Sequence, residues 1–171
     1  NVTKVWNDDN NRDGIRPESV TVQLLANGEV VEGQELTLNE EVNWTGTFEN
    51  IAAADAEGET ISYSIREVAV EGYTSEITGN VNDGFTITNT HTSEVVTVSG
   101  SKTWQDENNQ GGKRPDSITV HLLKDGAVED TKTVTASDNW SWTFAGLPKY
   151  EDGKKITYSI TEEAVADYVT T

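Results

Sequence analysis

The chain has 171 residues, enough for one β-sandwich or two domains of about 85 residues. Its 12 basic and 30 acidic side chains give a formal charge of −18, which argues against nucleic acid or anionic lipid as a partner, because both attract basic surfaces. Cysteine is absent and histidine occurs twice, so disulfides and thiolate metal sites are excluded. No apolar run is long enough to span a membrane, and we predict no metal and no cofactor.

An internal repeat with a period near 97 residues divides the chain. The recurring segments are Lys4-Val5-Trp6 with Lys102-Thr103-Trp104, Arg16 to Val20 with Arg114 to Ile118, Asn43-Trp44 with Asn139-Trp140, and Tyr63 to Glu67 with Tyr158 to Glu162. The repeat predicts domain 1 over residues 1–93 and domain 2 over residues 94–171, with a short polar joint between them. Because the chain starts and ends inside patterned sequence, we expect it to be an excised piece of a longer protein.

Alternating apolar residues predict β-strands throughout the chain. Val20, Val22 and Leu24 alternate before Asn27-Gly28, a pair typical of a type I′ hairpin turn. The same pattern recurs around residues 118–126, and alternation is also present in Trp140, Trp142 and Phe144. We therefore predict an all-β fold with one two-sheet sandwich per domain. After Tyr168 only three residues remain, so domain 2 is expected to lack its last strand.

Three polar residues fall on predicted core-facing positions of separate strands. Lys4, Glu67 and Asn89 each share a strand face with apolar residues, because side chains alternate with period 2. For any one of them, a rim position or an ordinary buried Lys–Glu ion pair is the alternative. The combination favours a chemical role, and Lys102 and Glu162 repeat two members in domain 2.

The three side chains fit a known kind of amide exchange. A neutral lysine amine can attack an asparagine carboxamide, which releases ammonia and leaves an isopeptide bond. Burial disfavours charge on both a lysine and a glutamate, so a buried pair can pass its proton and become neutral. The protonated glutamate can then polarise the amide carbonyl and shuttle protons to the leaving ammonia.

The order of these motifs resembles the CnaB-type domains of Gram-positive surface adhesins and pilins. The motifs that carry the resemblance are Lys4, Trp6 and Asp8; Arg16 to Val20; Trp44 and Phe48; Tyr63 to Glu67; and Phe85 to His91. The resemblance implies tandem reversed immunoglobulin-like (prealbumin-like) β-sandwiches. It implies Lys4 as the nucleophile, Asn89 as the acceptor and Glu67 as the proton shuttle. In domain 2, Lys102 and Glu162 match, but the acceptor Asn is absent.

Two further features carry little functional signal. Asp9, Asn11, Asp13 and Gly14 resemble the start of a calcium loop, but Val20 stands where the bidentate Glu belongs, so a polar turn is favoured. His91 has no partner apparent in the sequence and is interpreted as a residue of the surface or the joint.

The functional hypothesis is structural. The resemblance implies stalk or shaft domains of a cell-wall-attached surface protein, extracellular on a Gram-positive bacterium. The expected partners are neighbouring domains of the same polypeptide, with a host extracellular ligand bound elsewhere in the parent protein. The alternative is an adhesin domain that itself binds a host protein or glycan, with Trp142 as a sugar platform, although its alternation favours the core. A hydrolase is disfavoured because no nucleophile–base pair is present, and isopeptide formation occurs once per molecule, so we do not expect an enzyme.

Overall fold

Two all-β units divide the chain in the computed structural model, which describes residues 1–171. The units are Asn1–Ser93 and Glu94–Thr171. Each contains one short 3₁₀ helix, and the structure holds no helix with the length and apolar character needed to cross a membrane.

Unit 1 is a sandwich of two sheets. Its strands are β1 (Val2–Asn7), β2 (Ser19–Ala26), β3 (Glu29–Asn39), β4 (Thr45–Gly46), β5 (Tyr63–Glu67), β6 (Thr74–Asn80) and β7 (Gly84–Thr90). One sheet has the order β4-β1-β7-β6 and the other β3-β2-β5. Buried side chains from both sheets form one core: Val2, Val20, Val22, Leu24, Leu38, Ile65 and Ile87.

The hairpin between β2 and β3 follows the sequence prediction. Asn27 and Gly28 have φ angles of 50° and 90°, the positive values that a type I′ turn requires at both central residues. The turn leaves Val20, Val22 and Leu24 on the core face of β2.

The first and last strands of unit 1 lie side by side. β1 pairs with β7 in parallel, with Lys4 opposite Ile87 and Trp6 opposite Asn89. Strands at opposite ends of the unit's sequence are therefore neighbours, and two of the three predicted site residues sit on them.

Unit 2 repeats most of this architecture. Its strands are β8 (Val95–Ser101), β9 (Ser117–Lys124), β10 (Ala127–Thr135), β11 (Ser141–Pro148), β12 (Tyr150–Glu151), β13 (Lys154–Lys155) and β14 (Tyr158–Glu162). The sheet β10-β9-β14 corresponds to β3-β2-β5, and the pair β11-β8 corresponds to β4-β1. Ile118, Val120, Leu122, Val134 and Phe144 form its buried core.

Within these 171 residues, unit 2 has no counterpart of β7, as predicted, and none of its hairpin partner β6. The strand next to the missing one is also shorter at this end: β8 ends at Ser101, whereas β1 continues past the equivalent Thr3 to Asn7. Lys102 nevertheless keeps its local anchor: its N–H donates to the Trp140 carbonyl at 2.8 Å, as Lys4 donates to that of Trp44 at 2.8 Å.

The predicted strand alternation through Trp140 is wrong. Asn139 and Trp140 have φ angles of 51° and 54°, so the chain reverses there and β11 begins at Ser141. The strand residue Trp142 packs on the core instead of standing at the surface, which removes the basis for a sugar platform.

Large and small residues exchange places between the units. In unit 1 Val2 is opposite Gly46, and in unit 2 the equivalent Gly100 is opposite Trp142. A Cβ atom at Gly100 would lie only 2.6 Å from Cζ2 of Trp142, so the indole occupies the space that a side chain would need. The large residue of this pair thus stands on the first strand in unit 1 and on the partner strand in unit 2.

Candidate functional site

The structure brings Lys4, Glu67 and Asn89 together inside unit 1. Lys4 Nζ lies 2.8 Å from Glu67 Oε1, and the two side chains are 0% and 2% exposed. Asn89 is fully buried, and its Nδ2 donates to the same Glu67 Oε1 at 3.3 Å. One carboxylate oxygen therefore contacts both the amine and the amide nitrogen.

Three strands supply these residues at alternate, core-facing positions. Lys4 follows Val2 on β1, Glu67 follows Ile65 on β5, and Asn89 follows Ile87 on β7. Each preceding apolar residue is buried, so the pleat aims the polar residue two positions later into the same interior. Ala69 is exposed because β5 ends at Glu67.

Burial sets the protonation chemistry of the site. Desolvation lowers the pKa of Lys4 below its ordinary value, although the hydrogen bond and charge of Glu67 oppose the change. Two oxygens of the site, Glu67 Oε2 and Asn89 Oδ1, are buried and accept no hydrogen bond. Unpaired buried acceptors are costly, so a proton donor between the carboxyl and amide groups would relieve both.

Aromatic side chains form the wall of the site next to the amine. Lys4 Nζ lies 4.5 Å from the centroid of the Trp6 ring, and Arg16 lies 5.3 Å from the same ring. Trp44 and Tyr73 pack edge-on against Trp6, with centroid distances of 5.1 and 5.0 Å. The amine thus lies against one indole ring and faces one carboxylate.

A second polar cluster supports this wall. The buried Asp8 carboxylate accepts from Arg16 Nε at 3.0 Å, from Arg16 Nη2 at 2.6 Å and from the Tyr73 hydroxyl at 2.8 Å. Burial raises the pKa of Asp8, but these hydrogen bonds outweigh it and hold the pKa below the usual range. The loop Asp9–Asn11, with three consecutive positive φ angles, brings the Asn11 N–H to the same carboxylate.

Unit 2 repeats the cluster with the same geometry. Asp106 accepts from Arg114 Nε at 3.0 Å and from the Tyr168 hydroxyl at 2.8 Å. Asp8 and Arg16 belong to the family motif, but the sequence suggested no role for either residue. The signal that could have found the cluster is the recurrence of all three residues at equivalent positions in both repeats.

In unit 2, Lys102 Nζ lies 2.8 Å from Glu162 Oε2, and the two side chains are 14% and 10% exposed. The Thr170 hydroxyl donates to the same Oε2 at 3.0 Å, where unit 1 uses the Asn89 amide. A cavity of about 690 Å³ lies beside the pair, lined in part by Trp104, Trp142 and Tyr168.

His91, interpreted from the sequence as a residue of the surface or the joint, has two partners in the structure that the sequence did not reveal. Its Nε2 lies 2.9 Å from Asp13 Oδ2, its Nδ1 lies 3.0 Å from the Gly72 carbonyl oxygen, and the side chain is only 15% exposed. Asp13 is thus turned to His91, and Asn11 Oδ1 accepts from the Arg16 N–H. Side chains of the calcium-like segment are therefore directed to protein partners.

The fold and site define a class: tandem all-β sandwich domains, the first with a buried Lys–Glu–Asn cluster. The family model of the Cna protein B-type domain matches residues 1–90 and 98–171, and the chain belongs to this family. The collagen adhesin of Staphylococcus aureus is 42% identical over 170 residues, which are 99% of this chain and 14% of that protein.

A solved relative has a similar fold. The crystal structure of two B repeat units of the collagen binding protein of S. aureus is 41% identical, with a TM-score of 0.85 over 98% of this chain and 44% of that one. The chain is therefore a surface-adhesin-associated repeat pair, and domains of this family are structural.

Proposed function

We propose that the chain is part of the shaft of a surface adhesin, and that unit 1 carries an intramolecular isopeptide bond between Lys4 and Asn89. The observation that supports the bond is the position of Glu67 Oε1. It lies 2.8 Å from the attacking amine and 3.3 Å from the amide nitrogen that would leave. A single oxygen can therefore take a proton from the first nitrogen and deliver one to the second.

The reaction begins with proton transfer from Lys4 to Glu67, which burial favours because both groups become neutral. The free amine attacks Cγ of Asn89, and the carboxylic acid of Glu67 donates to the amide oxygen as negative charge develops there. A proton then passes through Glu67 to Nδ2, the Cγ–Nδ2 bond breaks, and ammonia leaves. One C–N bond forms and one breaks, so no further reactant is needed.

The fold supplies a proximity that a lysine and an asparagine lack when they are free in solution. Lys4 and Asn89 lie on adjacent parallel strands, and both side chains point into one dry interior. Holding reactants in place can replace a large part of the entropic barrier. The product stays attached to the protein, so Glu67 acts once per molecule and the chain does not turn over.

A bond at this place suits a load-bearing shaft. It would join the first strand of unit 1 to the last, so tension entering near Lys4 and leaving near Asn89 would bypass the strands between them. The similarity to B repeat units supports this role. We propose an extracellular, cell-wall-attached location on a Gram-positive bacterium, with neighbouring domains of the same polypeptide as partners.

Unit 2 carries the equivalents of the nucleophile and the shuttle without an acceptor. Lys102 and Glu162 form an ion pair, and Thr170 offers a hydroxyl where unit 1 has an amide. A hydroxyl carries no carbonyl for the amine to attack. We therefore propose that this pair stays unlinked within the 171-residue chain.

The test is intact mass spectrometry of the parent chain and two matched variants. The parent should have lost the mass of one ammonia. Glu67→Gln keeps the size of the side chain but removes the proton shuttle, so this variant should retain the full mass. Glu162→Gln is the control and should lose one ammonia, as the parent does. Equal masses for Glu67→Gln and parent, after correction for the substitution, would contradict the proposal.

A further inference from the structure

His91 stands immediately beyond β7, two residues after the proposed acceptor Asn89. Its backbone N–H donates to the Asn7 carbonyl at 3.0 Å and so extends the β1–β7 pairing by one step. Its ring reaches two other segments: Asp13 in the loop after β1, and Gly72 just before β6. One side chain thus connects the end of β7 to both neighbouring segments.

The partners of the ring fix its protonation state. A carboxylate and a carbonyl oxygen both accept hydrogen bonds, so each ring nitrogen must carry a proton to satisfy them. The hydrogen bond to Asp13 raises the pKa of His91, burial opposes it, and the Gly72 carbonyl adds to the increase. Asp8 adds a more distant negative charge, and the Tyr73 ring packs beside the imidazole at 5.6 Å.

The carboxylate that holds the ring is confined to unit 1. Unit 2 has Gly111 at the position of Asp13, yet its loop keeps the Asp106–Arg114–Asn109 hydrogen bonds of the repeated cluster. The loop therefore folds without an acidic residue there. Asp13 occurs in the unit that has both His91 and the amide acceptor.

We propose that His91, as an imidazolium held by Asp13 and the Gly72 carbonyl, is a positioning residue that holds Asn89 against the amine of Lys4. Asn89 and His91 are two residues apart on an extended chain, so they project to the same side. Fixing the ring limits sliding and twisting of this end of β7 relative to β1. This role rests on the proposed isopeptide reaction, whereas the protonated ring is a property of the folded chain alone.

The first experiment measures the ring without reference to the bond. The chain has two histidines, so nitrogen-15 NMR of the full chain yields two imidazole signals, with His121 of unit 2 as the internal comparison. His91 should be protonated on both nitrogens at pH 7, and its pKa should fall in Asp13→Asn. A neutral His91 ring at pH 7 in the folded chain would overturn the proposal.

The second experiment measures the rate of ammonia loss. The full chain is made by chemical synthesis, kept unfolded and unlinked in denaturant, and refolded by dilution at a series of pH values. Intact mass follows the reaction in the parent, His91→Gln and Asp13→Asn, with His121→Gln as the control. The ratio of parent to variant rates cancels the titration of the amine, which all four chains share.

At pH values below the pKa of His91, the parent should react about ten or more times faster than the variants, since small misplacements of reacting groups are costly. The ratio should fall towards one as the pH rises through that pKa, because the parent then loses its imidazolium too. A ratio of one throughout, in variants whose amide exchange shows a folded unit 1, would overturn the positioning role. A parent that never loses ammonia would overturn the proposed function instead, and the NMR titration would still report the protonated ring.

Discussion

Removing the acceptor should destabilise unit 1 far more than the loss of one buried side chain explains. In Asn89→Ala no isopeptide bond can form, and Lys4 keeps its amine beside Glu67. The proposed bond closes a loop of about 85 residues between Lys4 and Asn89. The loop-entropy relation for cross-links gives about 4–5 kcal/mol for a loop of that length.

A double-mutant cycle separates the bond from the side chains. Lys4→Met keeps much of the lysine stem but removes the nucleophile, so Asn89→Ala in that background measures only the cost of truncating the amide. If both residues act through one covalent bond, the coupling free energy should be about 4–5 kcal/mol, which exceeds the usual range for neighbouring residues.

Hydrogen exchange followed by mass spectrometry suits this cycle because it reports each unit separately. The slowest amides of unit 1, around the buried Ile87, should lose protection in each single variant, while those of unit 2 serve as an internal reference. The thermal midpoint of unit 1 should fall by about 15 °C or more. A coupling free energy below about 1 kcal/mol would refute the covalent link.

Three further predictions concern the surroundings of the site. Tyr73→Phe should lower the free energy of unfolding of unit 1 by about 1.5–3 kcal/mol at neutral pH, because the hydrogen bond to the Asp8 carboxylate is lost. The pKa of Asp8 is depressed in the folded state, so this carboxylate stabilises the fold above about pH 4 and its contribution is lost as the pH falls. The acid-unfolding midpoint of the variant, followed by circular dichroism, should therefore move to higher pH, and an unchanged midpoint would contradict this. Gly100→Val should destabilise unit 2 by about 1–3 kcal/mol in denaturant titrations, because the new side chain would clash with the Trp142 indole. Combination with Trp142→Gly, which recreates the valine–glycine pair of unit 1, should restore stability, and additive changes in the free energy of unfolding would contradict this. Amides at 102–105 should exchange faster than those at 4–7, because only the latter pair with β7; equal protection would show that another partner covers this edge.

The residues of the site were predictable because period-2 alternation is a strong constraint. Lys4, Glu67 and Asn89 each interrupt a run of apolar residues on one face of a strand. Because side chains alternate between the two faces, the buried apolar residues two positions away determine that the polar residue also faces the core. The repeat then showed which interruptions recur. The same reasoning failed at Trp140, because a left-handed turn breaks the alternation just before the strand begins.

The supporting contacts were not predictable from alternation. His91 and Asp13 are 78 residues apart, and their contact depends on a loop whose course no periodic pattern encodes. Asp8 meets Tyr73 across 65 residues for the same reason. The absence of a β6 counterpart was not predicted either, because the sequence pointed to the loss of one strand, whereas β6 and β7 form a hairpin in unit 1.

The proposed bond between Lys4 and Asn89 is tested most directly by finding where in the parent chain ammonia was lost. Intact mass spectrometry counts the ammonias, and protease digestion followed by fragmentation identifies the peptides that are joined. We expect the loss of one ammonia and a branched peptide that links the side chain of Lys4 to that of Asn89. A full-mass chain would contradict the bond, and the loss of two ammonias would show that Lys102 also reacts with an acceptor within the chain.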